Sequence, residues 1–174
     1  ITATYGAENV WSNYIGVWHM DEASGTLVDS TANSNDATVV TSGMTYGATG
    51  QIGDGVDFPG TTNREFTAGN IDATIVTNGE YSVHGWIKAD QTSAAARPVD
   101  MQNSNAGGVR WYVNANTLNW RHGAGGSTVD VNTAFTDTAS LHMMHQVWDG
   151  SDMFAYLDGA IVNSGGTTAT TYGD

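Results

Sequence analysis

Two short runs that combine aromatic and basic residues have the clearest capacity for ligand chemistry. The runs 109–113 and 118–122 each contain one tryptophan flanked by planar polar side chains, and a short turn at 114–117 joins them. Aromatic rings stack on the CH-rich faces of sugars, while guanidinium, amide and imidazole groups form directed hydrogen bonds with hydroxyls. The sequence therefore predicts one ligand site built from Arg110, Trp111, Tyr112, Trp120, Arg121 and His122.

The same runs also permit a purely structural interpretation. The tryptophans would fill the core of the domain, and the arginines would neutralise part of a very acidic surface. Three of the four arginines, at positions 97, 110 and 121, fall in this region, which makes it the least acidic part of the chain. Both interpretations stay open at the level of the sequence.

A second cluster, in the loop 29–38, is dense in side-chain oxygens. Calcium takes about six to eight oxygen ligands from flexible loops, so this segment predicts a structural calcium site. The alternative is a turn stabilised by hydrogen bonds from these side chains to their own backbone, because the loop lacks the final acidic residue of a self-sufficient calcium loop. The predicted metal ligands are Asp29, Thr31, Asn33, Asn35 and Asp36.

Catalytic patterns are not found in the sequence. A retaining glycosidase needs two carboxyl groups about 5 Å apart, and none of the four glutamates belongs to such a pair on a strand. Asp21 and Glu22 are adjacent, so on a strand they would point to opposite faces. His142 and His145 are three residues apart on a predicted strand, which separates their side chains. We therefore expect a protein that is not an enzyme.

The composition indicates many short strands joined by turns. The chain has 174 residues, of which 22 are glycine and none is cysteine, so disulfides and thiol chemistry are excluded. No apolar run is long enough to span a membrane. The net charge of −13 disfavours nucleic acid and anionic lipid as partners and suits a cation-rich extracellular medium. We expect an extracellular, cell-surface or virion-surface location.

Strand-like patterns recur along the chain, whereas helical periodicity is almost missing. The Asp149-Gly150 and Asp158-Gly159 pairs predict hairpin turns, and hence a meander of three antiparallel strands over 142–163. The stretches 89–108 and 122–134 are weakly patterned and are predicted to be loops. The predicted strands are 14–20, 81–88, 109–113, 117–121, 143–148, 153–157 and 160–163.

Three segments together resemble the LamG-like domains of the concanavalin A-like lectin/glucanase superfamily. They are Val-Trp-His-Met-Asp-Glu-Ala-Ser-Gly at 17–25 with the loop after it, the Gly-rich run 50–60, and the His-Gln-Val-Trp-Asp-Gly run at 145–150 followed by Tyr-Leu-Asp-Gly at 156–159. The resemblance covers residues 10–163. It implies an all-β jelly-roll sandwich of two antiparallel sheets, organised as a single domain over 1–174.

The chain departs from the family pattern at its C-terminal end, where LamG-like domains continue into a further strand. We therefore expect either a fragment of a longer chain or a sheet edge that exchanges a strand with another chain. The leading prediction is a non-catalytic extracellular recognition or adhesion module that binds a glycan or a surface protein, with calcium as an aid. The alternative is a structural surface component that decorates a virion or a cell filament.

Overall fold

The computed structural model describes residues 10–60, 64–68, 71, 79–102, 108–124 and 127–166. The chain divides into two compact units, Ile1–Ile71 and Asp72–Asp174, and each is described by itself. The single domain over 1–174 stays a prediction. Among the described residues, no helix has both the length and the apolar character needed to cross a bilayer.

The first unit contains two antiparallel strand pairs. The side chain of Phe66 packs edge-on against the rings of Tyr46 and Phe58, at centroid distances of 6.3 and 5.8 Å. Leu27 and Ala37 are the buried apolar side chains of this unit among the described residues. The strands are β1 (Ala37–Val39), β2 (Thr45–Thr49), β3 (Asp54–Asp57) and β4 (Phe66–Ala68), with β1 paired to β4 and β2 paired to β3.

The strand predicted over 14–20 does not form. Only Trp18 makes an isolated bridge there, with Asp29. Side chains satisfy polar groups that a strand ladder would otherwise use: the backbone N–H of Val17 donates to Asp29 Oδ1 at 3.0 Å, and the indole N–H of Trp18 donates to the carbonyl of Asn35 at 2.9 Å. Local side-chain hydrogen bonding therefore competes successfully with sheet formation in this segment.

The second unit is a sandwich of two four-stranded antiparallel sheets. The strands are β5 (Tyr81–Ile87), β6 (Ala96–Gln102), β7 (Gly108–Asn114), β8 (Thr117–Ala124), β9 (Ser127–Ala134), β10 (His142–Trp148), β11 (Asp152–Leu157) and β12 (Ala160–Gly166). One sheet has the strand order β6-β7-β8-β9 and is called the β6–β9 sheet; the other has the order β12-β11-β10-β5 and is called the β10–β12 sheet.

Alternation along the strands places the core of this unit between the two sheets. Successive side chains of a strand point to opposite faces, so every second residue of β7, β8, β10 and β11 turns inward. Most of the inward residues are apolar, and each of these is at most 3% exposed. They are Val109, Trp111, Val113, Leu118, Trp120, Met144, Trp148, Met153 and Ala155.

A buried polar network joins the two sheets through Gln146, which is fully buried. Its Oε1 accepts a hydrogen bond from the indole N–H of Trp111 at 2.9 Å, and its Nε2 donates to the Tyr81 hydroxyl at 2.8 Å. The Tyr81 hydroxyl in turn lies 2.9 Å from Nδ1 of His122, whose ring stacks on Trp148 with a centroid distance of 3.9 Å. Because buried polar groups need such partners, the network favours one alignment of the sheets.

The predicted strands of the second unit are confirmed to within a few residues at their ends, and so is the meander β10-β11-β12. The turn between β11 and β12 has positive φ at both central residues, 52° at Asp158 and 81° at Gly159. This is the conformation that the Asp-Gly pair predicts for a tight hairpin. The connection between β10 and β11 spans residues 149–151, and Asp149 Oδ1 accepts hydrogen bonds from the backbone N–H groups of Ser151 and Asp152.

Two predicted loops were wrong in part, because 89–108 contains β6 and 122–134 contains all of β9. A register shift lies between Ala96 and Val99, which accommodates Pro98 on this edge strand and weakens its strand pattern. In β9 the buried Val131 lies between exposed polar neighbours, a short alternation that the nearby glycines mask. Residues 103–107 and 125–126 of these stretches lie outside the described residues.

Candidate ligand site on the β6–β9 sheet

A row of four charged side chains crosses the outward face of the β6–β9 sheet, one from each strand. Strand register places Asp100 opposite Arg110, Arg110 opposite Arg121, and Arg121 opposite Asp130. We call this row the charge ladder. It forms because all four residues occupy outward positions of their strands, where alternation turns them away from the core.

Ion pairs at both ends hold the arginines of the charge ladder in place. Arg110 Nε lies 3.0 Å from Asp100 Oδ1, and Arg97 Nη1 lies 3.6 Å from the other oxygen of that carboxylate. Arg121 is bidentate, with Nε and Nη2 each 2.7 Å from one oxygen of Asp130. The hydrogen bond to Asp130 raises the pKa of Arg121 against the opposing effect of burial. Both guanidinium groups are therefore oriented before any ligand arrives.

Tyr112 follows Arg110 on the same outward face and supplies an aromatic surface. The guanidinium carbon of Arg121 lies 5.5 Å from the centroid of the Tyr112 ring, within the range of a cation–π contact. Beside this contact is an open pocket of about 240 Å³. The residues that line it are Ala95, Arg97, Arg110, Tyr112, Asn114 and Arg121, and none of them is acidic.

The structure separates the six predicted ligand residues into two sets of three. Arg110, Tyr112 and Arg121 all line the pocket. Trp111, Trp120 and His122 are at most 1% exposed and face the core. The prediction that all six share one surface site is corrected here, because neighbouring residues of a strand project to opposite faces.

The two tryptophans do lie next to each other, as predicted from the short turn between their strands. Trp111 is directly opposite Trp120 in the β7–β8 register, but the pair is on the inward face. This is the structural alternative that the sequence left open. A ligand in solution can therefore not stack on either indole in this arrangement.

Five members of the site were not predicted, namely Ala95, Arg97, Asp100, Asn114 and Asp130. Asn114 continues the outward alternation that begins at Arg110, so the period of two in β7 could have identified it. Asp130 has a similar signal, since it precedes the inward-facing Val131. The partners of Arg97 and Asp100 depend on the irregular register of β6, which the sequence does not reveal.

The predicted calcium ligands do come together, but they bind the backbone of their own unit. Asp29 Oδ1 accepts hydrogen bonds from the N–H groups of Val17 and Thr31, and Oδ2 accepts from the Thr31 hydroxyl and the N–H of Asn35. Burial alone would raise the pKa of Asp29, but these four hydrogen bonds outweigh it and leave the pKa below its usual value. Asp36 Oδ1 accepts from the N–H of Asp29 at 2.9 Å.

The asparagines of this loop are also engaged with backbone groups. Nδ2 of Asn33 donates to the carbonyls of Tyr14 and Ile15, and Nδ2 of Asn35 donates to Ile15 at 2.7 Å. The loop as folded does not fit a calcium ion, because N–H and O–H donors already surround the Asp29 carboxylate that the ion would need. Within the described ranges, no group of three or more histidine, cysteine, aspartate or glutamate side chains is arranged to hold a metal. Calcium stays a prediction from the sequence.

The two histidines of β10 have separate structural contacts. His142 lies between two carboxylates, with Nδ1 at 2.7 Å from Asp158 and Nε2 at 3.2 Å from Asp137. The hydrogen bond with Asp158 raises the pKa of His142, so its charged form is favoured. Nε2 of His145 lies 2.7 Å from the Ser82 hydroxyl on the neighbouring strand. The two imidazoles therefore have different hydrogen-bonding partners.

No protein-family model matches the chain, and no curated protein matches it in sequence. Several solved structures share its fold. The binding domain of botulinum neurotoxin serotype C1 superposes with a TM-score of 0.64 at 13% identity, over 90% of this chain and 40% of that one. The binding domain of botulinum neurotoxin DC in complex with rat synaptotagmin II gives a TM-score of 0.63 at 13% identity, over 90% and 40%.

A third similar structure is of botulinum neurotoxin type C, whose cell entry is dependent upon interaction with two ganglioside molecules. It superposes with a TM-score of 0.61 at 13% identity, over 91% of this chain and 40% of that one. The chain thus spans about two fifths of the length of these neighbours. The predicted all-β sandwich of antiparallel sheets is confirmed, and the similar structures are β-sandwich binding domains rather than catalytic ones.

Proposed function

We propose that this chain is a non-catalytic recognition module that binds glycans through the outward face of the β6–β9 sheet. The observation that carries the proposal is the pocket, which brings three guanidinium groups, one phenol ring and one amide together. Sugars are recognised by this combination of a stacking ring and planar hydrogen-bonding groups. With about 240 Å³, the pocket suits one sugar ring rather than an extended chain.

The structural neighbours support a binding role without defining the ligand. Cell entry of one neighbouring toxin depends on ganglioside molecules, and the binding domain of botulinum neurotoxin DC is in complex with SialylT in one structure and with rat synaptotagmin II in another. Each of these ligands belongs to its own protein, and this chain spans only part of each. Glycans and glycosylated surface proteins are accordingly the partners that we would test first.

Membership of the LamG-like family and an extracellular or surface location belong to the same proposal. The three-segment resemblance over residues 10–163 supports the family, and a net charge of −13 suits a cation-rich medium outside the cell. A non-catalytic role is supported by the ion-paired state of the carboxylates nearest the pocket. Asp100 and Asp130 each form an ion pair with an arginine of the pocket.

The test is a glycan array screened with the wild-type chain and with two aromatic variants. Tyr112→Ala removes the stacking ring of the pocket, and we expect a loss of about fivefold to tenfold in affinity for any bound glycan. Trp86→Ala is the matched control, because Trp86 is 43% exposed on the opposite sheet and lies outside the pocket. We expect this variant to bind as the wild type does.

Two results would reject this assignment. Absence of binding to every glycan would reject the function. Loss of binding in Trp86→Ala with retention in Tyr112→Ala would place the site on the β10–β12 sheet instead. Thermal melts of both variants establish that each is folded before binding is compared.

A further inference from the structure

We infer that the pocket on the β6–β9 sheet selects sugars that carry a carboxylate group. The inference rests on the proposed glycan-binding function and narrows it to a ligand class. It is carried by the charge of the pocket, by the donor geometry of its arginines, and by the neutral groups beside them.

The charge of the pocket is opposite to that of the chain. The chain has 18 acidic and five basic residues, and its formal net charge is −13. Three of those five basic residues line this one pocket, and none of the acidic ones does. Asp100 and Asp130 pair with these arginines, so the five charged groups together keep a net charge of +1. An anionic sugar supplies the opposite charge that a neutral sugar lacks.

The charge ladder positions the arginines without using all of their donors. A guanidinium has five N–H donors. The pairs with aspartate use Nε of Arg110, and Nε and Nη2 of Arg121. Arg97 extends further into solvent, with 57% of its side chain exposed. Donors therefore remain for a ligand, and the planar guanidinium fork matches the two oxygens of a carboxylate.

The remaining lining groups favour a sugar over other carriers of a carboxylate. The Tyr112 ring offers a face for the CH groups of a sugar ring, and the Asn114 amide offers a donor and an acceptor for hydroxyls. An acidic peptide would use the arginines but would gain less from the ring and the amide. A carboxylate attached directly to a sugar ring uses all of these groups within one small pocket.

The experiment compares 3′-sialyllactose with lactose by isothermal titration calorimetry, because the two differ by the acidic sugar. We expect 3′-sialyllactose to bind at least about tenfold more tightly, because its carboxylate can form charge-assisted hydrogen bonds with the guanidinium groups. The difference should shrink at high salt, because the pocket is open to solvent.

Three variants locate the binding. Arg110→Gln/Arg121→Gln should reduce the affinity for 3′-sialyllactose to the level of lactose. Lys88→Gln is the matched control, since it removes one positive charge from an exposed position outside the pocket and should leave the affinity unchanged. Arg97→Gln serves as a milder variant if the double variant does not fold, because Arg97 is the most exposed of the three arginines. We expect it to weaken 3′-sialyllactose and leave lactose unaffected.

The possible failures are distinguishable. Equal affinity for lactose and 3′-sialyllactose would overturn the carboxylate inference and keep the glycan-binding function. If neither sugar binds and the glycan array shows no binding, the carboxylate inference and the glycan-binding function are both overturned. Binding of 3′-sialyllactose that the arginine variants leave intact would overturn the assignment to this pocket. Tighter binding of 3′-sulfolactose would overturn the preference for a carboxylate, and equally tight binding of a glutamate oligopeptide would overturn the preference for a sugar.

Discussion

At the scale of single residues, His122 shows how position in a strand overrides residue type. The sequence places it in a ligand site beside arginines, but it faces the core and stacks on Trp148. Burial lowers its pKa to about 4, because the surroundings disfavour the charged imidazole. Its ring contacts include Tyr81 and Trp148, neither of which carries a negative charge at neutral pH. His122 is thus a neutral core residue at pH 7.

This position predicts a loss of stability at mildly acidic pH. The unfolded chain has a histidine pKa of 6.5 and the folded chain one of about 4, so the unfolded state takes up the proton first as the pH falls. The contribution is complete above pH 6.5 and decreases down to pH 4, by about 3 kcal/mol at most. Urea unfolding at a series of pH values measures it.

The comparison variant for this prediction is His122→Phe, which keeps a flat ring against Trp148 but does not titrate. We expect it to be less stable at pH 7, because Tyr81 loses a hydrogen-bond partner, and to show a shallower loss of stability between pH 6.5 and 4. His19→Gln, at an exposed position of the other unit, should follow the wild-type curve. Parallel curves for wild type and His122→Phe would contradict the assignment.

Predicting the site from the sequence depends on knowing which alternate residues of each strand face outward. Residue types indicated an aromatic and basic site, and three of the six predicted residues, Arg110, Tyr112 and Arg121, do line the pocket. The alternation of Val109, Trp111 and Val113 in β7 contains enough information to turn the tryptophans inward. The pairing of Asp100 with Arg110 and of Asp130 with Arg121 could not be predicted, because cross-strand neighbours depend on the register of strands that resemble loops in sequence.

At the scale of elements, the β7–β8 hairpin has a tight turn with an unfavourable residue. Its central residues have positive φ, 50° at Ala115 and 60° at Asn116. Asparagine tolerates this conformation, and its backbone N–H donates to the carbonyl of Thr92 at 2.8 Å. Alanine has no such compensation, so Ala115 adds local strain beside the strands that carry the site.

Replacing Ala115 by glycine should stabilise the chain. Glycine has no Cβ to clash in the left-handed region, and we expect a gain of about 1 kcal/mol. Thermal unfolding followed by circular dichroism measures it. Ala134→Gly, at the exposed end of β9 and not among the residues with positive φ, is the control and should stabilise nothing. A lower melting temperature for Ala115→Gly would show that the turn is not strained.

Turn chemistry made the meander β10-β11-β12 predictable, whereas β6 and β9 were missed. Asp158-Gly159 has the residues that a tight hairpin requires, and both adopt positive φ. β6 is an edge strand with a proline and a register shift, so its alternation is interrupted. The segment 14–20 was instead predicted as a strand and does not form one. It alternates like a strand, but side chains of the following loop form hydrogen bonds with part of its backbone.

At the scale of the whole molecule, the net charge of −13 bears on the choice between a binding module and a structural surface component. Like-charged copies repel one another, which favours separate molecules in solution. Among the described residues, β5 pairs only with β10 and β6 pairs only with β7, so each has a second edge with no described strand partner. Such edges are where a strand from another chain could add, and strand exchange remains a proposal.

We expect a monomer of 18.3 kDa by light scattering at neutral pH, because copies with a net charge of −13 repel one another. Adding salt screens the repulsion and tests whether charge alone keeps the copies apart. A large oligomer that shows no binding on the glycan array would instead favour the structural surface component. The same preparation serves both measurements, so the two alternatives are compared on one sample.

The charge ladder also has a consequence for how the β6–β9 sheet assembles. Its two central residues, Arg110 and Arg121, lie directly opposite each other, and like charges in that position repel. A β7–β8 hairpin on its own is therefore electrostatically frustrated, and only the aspartates of the two outer strands remove the frustration. We therefore expect the four strands to become stable in one step rather than one after another. Folding of this sheet would then be cooperative.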